Sequence, residues 1–182
     1  RRADIPVIIP DLPAACVGNG PCVSAPEAEH SLKKDFGSLM QFNRFGLIFD
    51  YPENWLVDTK DSADRYTTVT VYSPEDAFWS LSAHAAGGTP LMLAKAVVEQ
   101  MSAEYTDLDQ EAVQENIGGL TLAGFDLNFY CLDLTNTAQV RTLEMPTAIY
   151  LLFCQAEDRE WERVSNVFAA MTASFITALK AV

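Results

Sequence analysis

The segment Ala148-Ile-Tyr-Leu-Leu-Phe-Cys154 is the most informative part of the sequence about its fold. It has the length of a strand, and its side chains are apolar on both faces. Strands of that kind lie inside a sheet, with other elements packed over both sides. We therefore predict that this strand is central in a sheet and that each of its faces is covered.

One of the covering elements follows directly in the sequence. From about Asp158 onward, apolar residues recur every three or four positions, from Trp161 through Phe168 to Phe175. This spacing predicts an amphipathic helix with one stripe packed on the sheet. Asp158 and Glu160 would lie in its first turn, where acidic side chains are favourable.

The earlier elements are predicted from alternation and turn residues. Two-residue alternation predicts strands at 45–52, 66–73 and 79–85. Thr89-Pro90 has the form of a helix N-terminus, and helical spacing continues to Tyr105. Short connections then join four strands into an antiparallel meander, at 112–117, 120–133, 138–145 and 148–156. The apolar phase changes within 120–133, which predicts a bulge at Gly124.

These elements together predict an α+β fold. It has a central antiparallel sheet of about six to seven strands sandwiched by helices, in the order βββ-α-ββββ-α. Residues 1–43 differ from the rest, because they hold five of the nine prolines and no sustained apolar period. We interpret them as an irregular N-terminal arm or linker. The folded domain is predicted to span 44–182.

The four cysteines fall into two pairs of different character. Cys16 and Cys22 flank a turn-forming run and could close a small disulfide loop. Cys131 and Cys154 lie in apolar strand patterns, where a free cysteine usually packs as a small hydrophobe. Neither of these two has a nearby cysteine at zinc-ligand spacing, so we predict no metal site and no cofactor.

The charge is strongly unbalanced along the chain. The net charge is −13, and residues 45–182 account for all of it, with 7 basic and 20 acidic residues. A body with this charge repels nucleic acid and anionic membrane surfaces and favours basic partners or cations. The alternative interpretation is that the acidity only keeps the protein soluble.

The sequence carries little information on cellular location. The longest strongly apolar run, 148–154, is shorter than the roughly 18 residues of a membrane helix, so no membrane insertion is predicted for this segment. Because the sequence opens with Arg1-Arg2 rather than Met, a targeting segment could precede it. Compartment and oligomeric state are left open.

Two stretches resemble a known family. The first is Phe45-Gly-Leu-Ile-Phe-Asp-Tyr-Pro-Glu-Asn-Trp55, and the second leads from Ala148 through Trp161 to Met171-Thr-Ala-Ser-Phe175. In their order and spacing they resemble the PsbP-like superfamily, which includes the extrinsic PsbP subunit of photosystem II, bacterial relatives and a nuclear protein that binds the GTPase Ran. The resemblance covers about residues 44–178 and implies an antiparallel sheet sandwiched by helices. It also implies a binding or assembly role, since known members dock onto other proteins rather than catalyse reactions.

Two groups of polar residues are candidate sites. Asp58, Asp61 and Asp64 are predicted in a polar loop between Trp55 and Tyr66, where they could collect a basic partner or a cation. A solvated loop is the alternative, because basic residues interleave with them. The segment containing Asp107, Asp109 and Glu111 only partly matches a calcium loop and is interpreted as a helix-to-strand connection.

The second group is predicted on the face of the meander that no helix covers. Asp126, Asn128, Tyr130 and Glu144 could line a pocket there. The main hypothesis is therefore a non-catalytic module whose acidic surface engages a protein partner. The alternative is a small-molecule or metal-ion binding protein, or an unrecognised hydrolase, that uses this pocket. No nucleophile motif accompanies His84, which is expected to be packed or at the surface, and the hypothesis leans away from an enzyme.

Overall fold

The computed structural model describes residues 38–62, 66–131 and 133–181 of the chain. Within them lie strands β1 (Leu39–Arg44), β2 (Leu47–Pro52), β3 (Leu56–Ser62), β4 (Tyr66–Tyr72), β5 (Phe78–Ala85), β6 (Asp109–Ile117), β7 (Leu120–Cys131), β8 (Leu134–Met145) and β9 (Ala148–Glu157), and helices α1 (Pro90–Glu104) and α2 (Asp158–Ala181). All of the strand pairings are antiparallel. The α+β fold class is confirmed.

The main sheet has the order β3-β4-β5-β9-β8-β7-β6, so β9 is its middle strand. Every residue from Ile149 to Ala156 is buried. Side chains on one side of β9 pack beneath α1, and those on the other side pack beneath α2. The central, doubly covered strand predicted from 148–154 is confirmed.

Each helix covers its own face of the sheet. Helix α1 begins at Pro90, with Thr89 as its N-cap: the Thr89 side chain accepts a hydrogen bond from the Met92 amide at 3.3 Å. Helix α2 is long and apolar enough to cross a membrane by length and composition. Its apolar stripe, including Trp161 and Phe168, is instead buried against the sheet, as in the core helix of a folded domain.

The chain before β4 forms more structure than the sequence predicted. The predicted first strand, 45–52, is half of a hairpin in which β1 pairs with β2. Phe45 and Gly46 have φ of 56° and 74°, the conformation of a tight two-residue turn. Strand β1 begins at Leu39, within the range assigned to the arm. The alternation of apolar residues in β1 is weak because Phe42 is the only buried residue of this strand. Phe42 stacks on Phe49 across the hairpin.

The predicted polar loop after Trp55 is wrong over its described part. Residues Leu56–Ser62 form β3, which pairs with β4 at one edge of the main sheet. An edge strand pairs with only one neighbour, so one row of its backbone groups stays unpaired in the sheet. A strand in this position tolerates polar side chains. The polar composition that predicted a loop is therefore compatible with a strand at this position.

The predicted bulge at Gly124 is also wrong. The pairing of β7 with both neighbouring strands is continuous through Gly124, and alternation alone turns Leu122 toward α2 and Phe125 toward α1. The glycine is explained by close approach, since a Cβ placed there would lie 1.9 Å from the Val140 carbonyl oxygen. Only a residue without a side chain fits between these two backbones.

The two cysteines in the described part of the chain are free. Cys154 is buried and Cys131 is half-buried, as their apolar surroundings predicted. Burial raises the pKa of the Cys154 thiol to about 12, which makes it a poor nucleophile at neutral pH. Cys16 and Cys22 lie outside the described residues.

Candidate functional site

An open region of the sheet lies on the α2 face, over β6 and β7. Helix α2 packs mainly on β2 and β9, so the outer strands extend beyond it. Alternation along β7 places Asp126, Asn128 and Tyr130 on this face, in phase with Leu122, which packs toward α2. Three of the four residues predicted to line a pocket therefore share one face.

A cleft of about 290 Å³ lies at the end of this region. Its lining includes Asp107, Asp109, Asn128, Tyr130, Thr135 and Asp158. We call these six residues the acidic cleft. They come from the α1–β6 connection, from strands β6, β7 and β8, and from the first residue of α2. Folding thus brings together carboxylates that are far apart in the sequence.

Hydrogen bonds fix part of the acidic cleft. Thr135 Oγ1 donates to Asp158 Oδ2, which holds this carboxylate at the start of α2. Asn128 Oδ1 accepts a hydrogen bond from Thr137 Oγ1 at 2.5 Å. The Tyr130 side chain stays 62% exposed beside them. The arrangement presents an aromatic ring and three carboxylates, which suits a positively charged group.

Asp126 forms an ion pair with Arg141 and is not among the residues that line the cleft. Its Oδ1 accepts from Arg141 Nη2 at 2.7 Å, and Glu115 accepts from Arg141 Nε at 2.5 Å. The Arg141 side chain is only 7% exposed and also donates to the carbonyls of Phe125 and Val140, each at 3.0 Å. Burial disfavours its charge, but the two carboxylates outweigh this and raise the pKa of Arg141 above its usual value.

The other predicted site residues lie elsewhere. Glu144 alternates with Leu143, which packs under α2, so it lies on the opposite face from the acidic cleft. Asp58 is exposed on the edge strand β3. Position 61 is on the same strand but an odd number of residues away, so the two positions lie on opposite faces. Asp64 lies outside the described residues.

A second and larger cleft, about 470 Å³, lies where the start of α2 meets the β4–β5 turn. No sequence pattern indicated it beyond the acidic first turn of the helix. Its buried residue Glu160 accepts a hydrogen bond from Ser73 Oγ, and at its rim Arg163 forms a two-pronged ion pair with Glu75, at 2.6 and 3.0 Å. Burial raises the pKa of the Glu160 carboxyl, although the bond from Ser73 acts in the opposite direction. These contacts join the helix to the turn.

His84 is packed, in line with one of the two expectations for it. It is buried, lies 2.9 Å from the Ser82 hydroxyl and stacks on Tyr66. Burial lowers the pKa of His84 and favours its neutral form. Among the described residues, no group of three or more histidine, cysteine or acidic side chains is arranged to hold a metal ion.

Comparison with solved structures places this architecture among known folds. The solution structure of cyanobacterial PsbP (CyanoP) from Synechocystis sp. PCC 6803 is 15% identical, has a TM-score of 0.53, and aligns over 75% of this chain and 91% of its own. The fold is PsbP-like. The fold that the two sequence stretches implied is therefore confirmed.

Two further solved structures show weaker likeness. A Pseudomonas aeruginosa protein of unknown function is 10% identical, with a TM-score of 0.42 over 76% of this chain and 96% of its own. LpqN, involved in cell envelope biogenesis of Mycobacterium tuberculosis, is 11% identical, with a TM-score of 0.37 over 86% and 96%. Both scores lie below 0.5, so the fold assignment rests on CyanoP. No protein-family model and no curated protein matches the chain.

Three large aromatic residues of the two motif stretches are part of the core. Trp55 and Trp161 both pack edge-on against Phe168 under α2, and Phe175 packs against Tyr150 of the central strand. These residues fix the PsbP-like fold and are buried. They lie in the core beneath α2 and are not among the six residues of the acidic cleft.

Proposed function

We propose that this protein is a non-catalytic binding module of PsbP-like type, and that its acidic cleft engages a basic surface of a protein partner. The observation that carries the proposal is the charge left exposed on the open end of the sheet. Across the described part of the chain, 19 acidic residues stand against 7 basic ones. Such an excess attracts basic partners and speeds their association.

The basic residues of the described chain are largely engaged within it. Arg141, Arg159 and Arg163 each form an ion pair with a nearby carboxylate, and Lys180 donates to the Gly118 carbonyl at 2.6 Å. By contrast, no ion pair joins Asp107 or Asp109 to any described cation. The charge of the acidic cleft is therefore available to a partner.

The cleft also offers more than charge. Tyr130 is a large exposed aromatic side chain, and aromatic residues are enriched among those that dominate the energy of protein interfaces. A lysine or arginine placed on its ring and next to Asp107 would gain both a cation–π contact and an ion pair. This chemistry favours a basic protein surface as the partner.

A capture experiment with matched charge variants tests the proposal. The immobilised chain would be exposed to lysate of its source organism, and retained proteins identified by mass spectrometry. Asp107→Asn with Asp109→Asn removes two charges from the acidic cleft. Glu99→Gln with Glu104→Gln removes two from the exposed side of α1 and serves as the control. We expect one basic protein to be retained by the wild type and the control and lost with the cleft variant.

Two measurements could contradict the proposal, the retention of proteins by the variants and the dependence of binding on salt. Retention of the same proteins by all three chains would mean that the cleft does not select a partner. Salt provides a second criterion, because an interface of this kind should weaken steeply between low and physiological ionic strength.

A further inference from the structure

Strand β6 ends the main sheet, and its outer edge is open within the described part of the chain. One side of β6 pairs with β7 from Asp109 to Ile117, and no described strand pairs with the other side. Each of its nine residues is exposed or half-buried. An exposed edge of this length presents a row of backbone donors and acceptors that another strand could extend.

The side chains of β6 divide by face. Asp109, Glu111 and Glu115 alternate along the α2 face, whereas the intervening residues carry no charge: Gln110, Ala112, Gln114 and Asn116. Glu115 is taken up by Arg141, but no described cation pairs with Asp109 or Glu111. Two carboxylates about 7 Å apart therefore follow the edge on one face.

This pattern discriminates between possible added strands. A second copy of β6 would place like charges near each other across the new pairing, which is unfavourable. An added strand with lysine or arginine at alternate positions would instead place opposite charges across from Asp109 and Glu111. The charges that protect the edge from self-association thus select a basic strand.

We propose that the outer edge of β6 binds an extended basic segment of a partner protein by β-strand addition, with lysine or arginine at alternate positions facing Asp109 and Glu111. This inference rests on the proposed function and names the partner's chemistry and binding mode. Asp109 belongs both to β6 and to the acidic cleft, so the two surfaces are continuous. A basic residue beyond the paired segment would reach Asp107 and Tyr130.

A synthetic peptide tests this inference directly. The peptide Lys-Thr-Lys-Thr-Val-Thr-Lys-Thr-Lys reads the same in both directions, so it can pair in either orientation with all its lysines on one face. The control Lys-Lys-Thr-Thr-Val-Thr-Thr-Lys-Lys has the same composition, but its lysines are divided between the two faces. Binding of both labelled peptides to the full chain would be measured by fluorescence anisotropy. We expect the alternating peptide to bind more tightly than the control.

Protein variants test the residues that would contact the peptide. Asp109→Asn with Glu111→Gln should weaken binding of the alternating peptide by about 2- to 30-fold, since two cross-strand ion pairs are lost. Glu99→Gln with Glu104→Gln on α1 should leave it unchanged. Circular dichroism would show that each variant is folded. Equal weakening by both pairs of substitutions would overturn the inference.

Methylated peptides separate strand addition from simple charge attraction. Successive backbone N–H groups of a strand point to opposite sides. Because the peptide can pair in either orientation, and each orientation turns a different edge toward β6, methylation of the valine nitrogen alone or of the following threonine nitrogen alone should be tolerated in one orientation. Methylation of both nitrogens blocks both edges and should abolish binding. Undiminished binding of the doubly methylated peptide, or equal binding of the alternating and control peptides, would refute strand addition. If capture of the partner still depends on Asp107 and Asp109 in that case, the proposed function stands without this binding mode.

Discussion

Replacing Gly124 by alanine should destabilise the protein, although its φ does not require glycine. A Cβ at this position would lie 1.9 Å from the Val140 carbonyl oxygen, and an ordinary contact begins at 3.4 Å. Strands β7 and β8 would have to separate by about 1.5 Å, which breaks ladder hydrogen bonds and shifts the carbonyls that Arg141 binds. Overpacking costs about 1–3 kcal/mol and each lost hydrogen bond about 1 kcal/mol. We expect a net loss of about 2–4 kcal/mol, after the small gain from a stiffer unfolded chain.

Urea unfolding followed by circular dichroism measures this loss. Gly119→Ala is the matched control: no atom lies closer than 3.9 Å to its Cβ position, and its φ of 85° should cost only about 1–2 kcal/mol. A loss below about 1 kcal/mol for Gly124→Ala would refute the close-approach explanation.

Four further predictions concern single side chains. His84 has a lowered pKa, so stability should be full above about pH 6.5 and fall as the pH drops through the folded-state pKa; thermal unfolding of His84→Gln should lack this dependence. Glu160 has a raised pKa, so its contribution to the free energy of unfolding is full below about pH 4.5 and is lost as the pH rises through the folded-state pKa. Glu160→Gln should therefore gain stability relative to wild type as the pH rises through that pKa, and a fall in its urea midpoint relative to wild type over the same pH range would contradict this. Arg141→Met leaves two partly buried carboxylates without their cation and should cost about 3 kcal/mol in urea unfolding. Phe45→Asn should gain about 1 kcal/mol, because asparagine adopts positive φ more readily and Phe45 is 49% exposed.

The interior of this fold could be predicted from the sequence because burial leaves a local pattern. The run 148–154 is apolar on both faces, and α2 carries an apolar stripe along its length. The strand needs an element packed over each face, and the helix needs a surface on which to bury its apolar stripe. Each pattern therefore predicts the other element as its packing partner. The edges could not be predicted in the same way, because β3 and β1 carry few buried residues and owe their conformation to a neighbouring strand.

The candidate site, too, could be predicted from the sequence only where a local pattern indicates it. Asn128 and Tyr130 could be placed on one face by alternation within a single strand. The sequence alone does not separate Glu144 from them, because the face that Glu144 occupies depends on how β8 pairs with β7. In the structure, alternation with Leu143 turns Glu144 to the other face. Asp107 and Asp158 carried no local signal as a pair, since only the packing of the meander brings the end of α1 close to the start of α2.

Charge and topology together explain where binding would occur on this molecule. The motif residues Trp55, Trp161 and Phe175 are buried between the sheet and α2, which leaves these three side chains no surface to offer. The exposed end of the sheet has the opposite character: β6 has no residue buried along its length, and its α2 face carries two carboxylates, Asp109 and Glu111, that no described cation pairs with. Those carboxylates would oppose a second copy of the same strand and would favour a basic one. The same residues that keep an open edge from aggregating can therefore determine which partner it accepts.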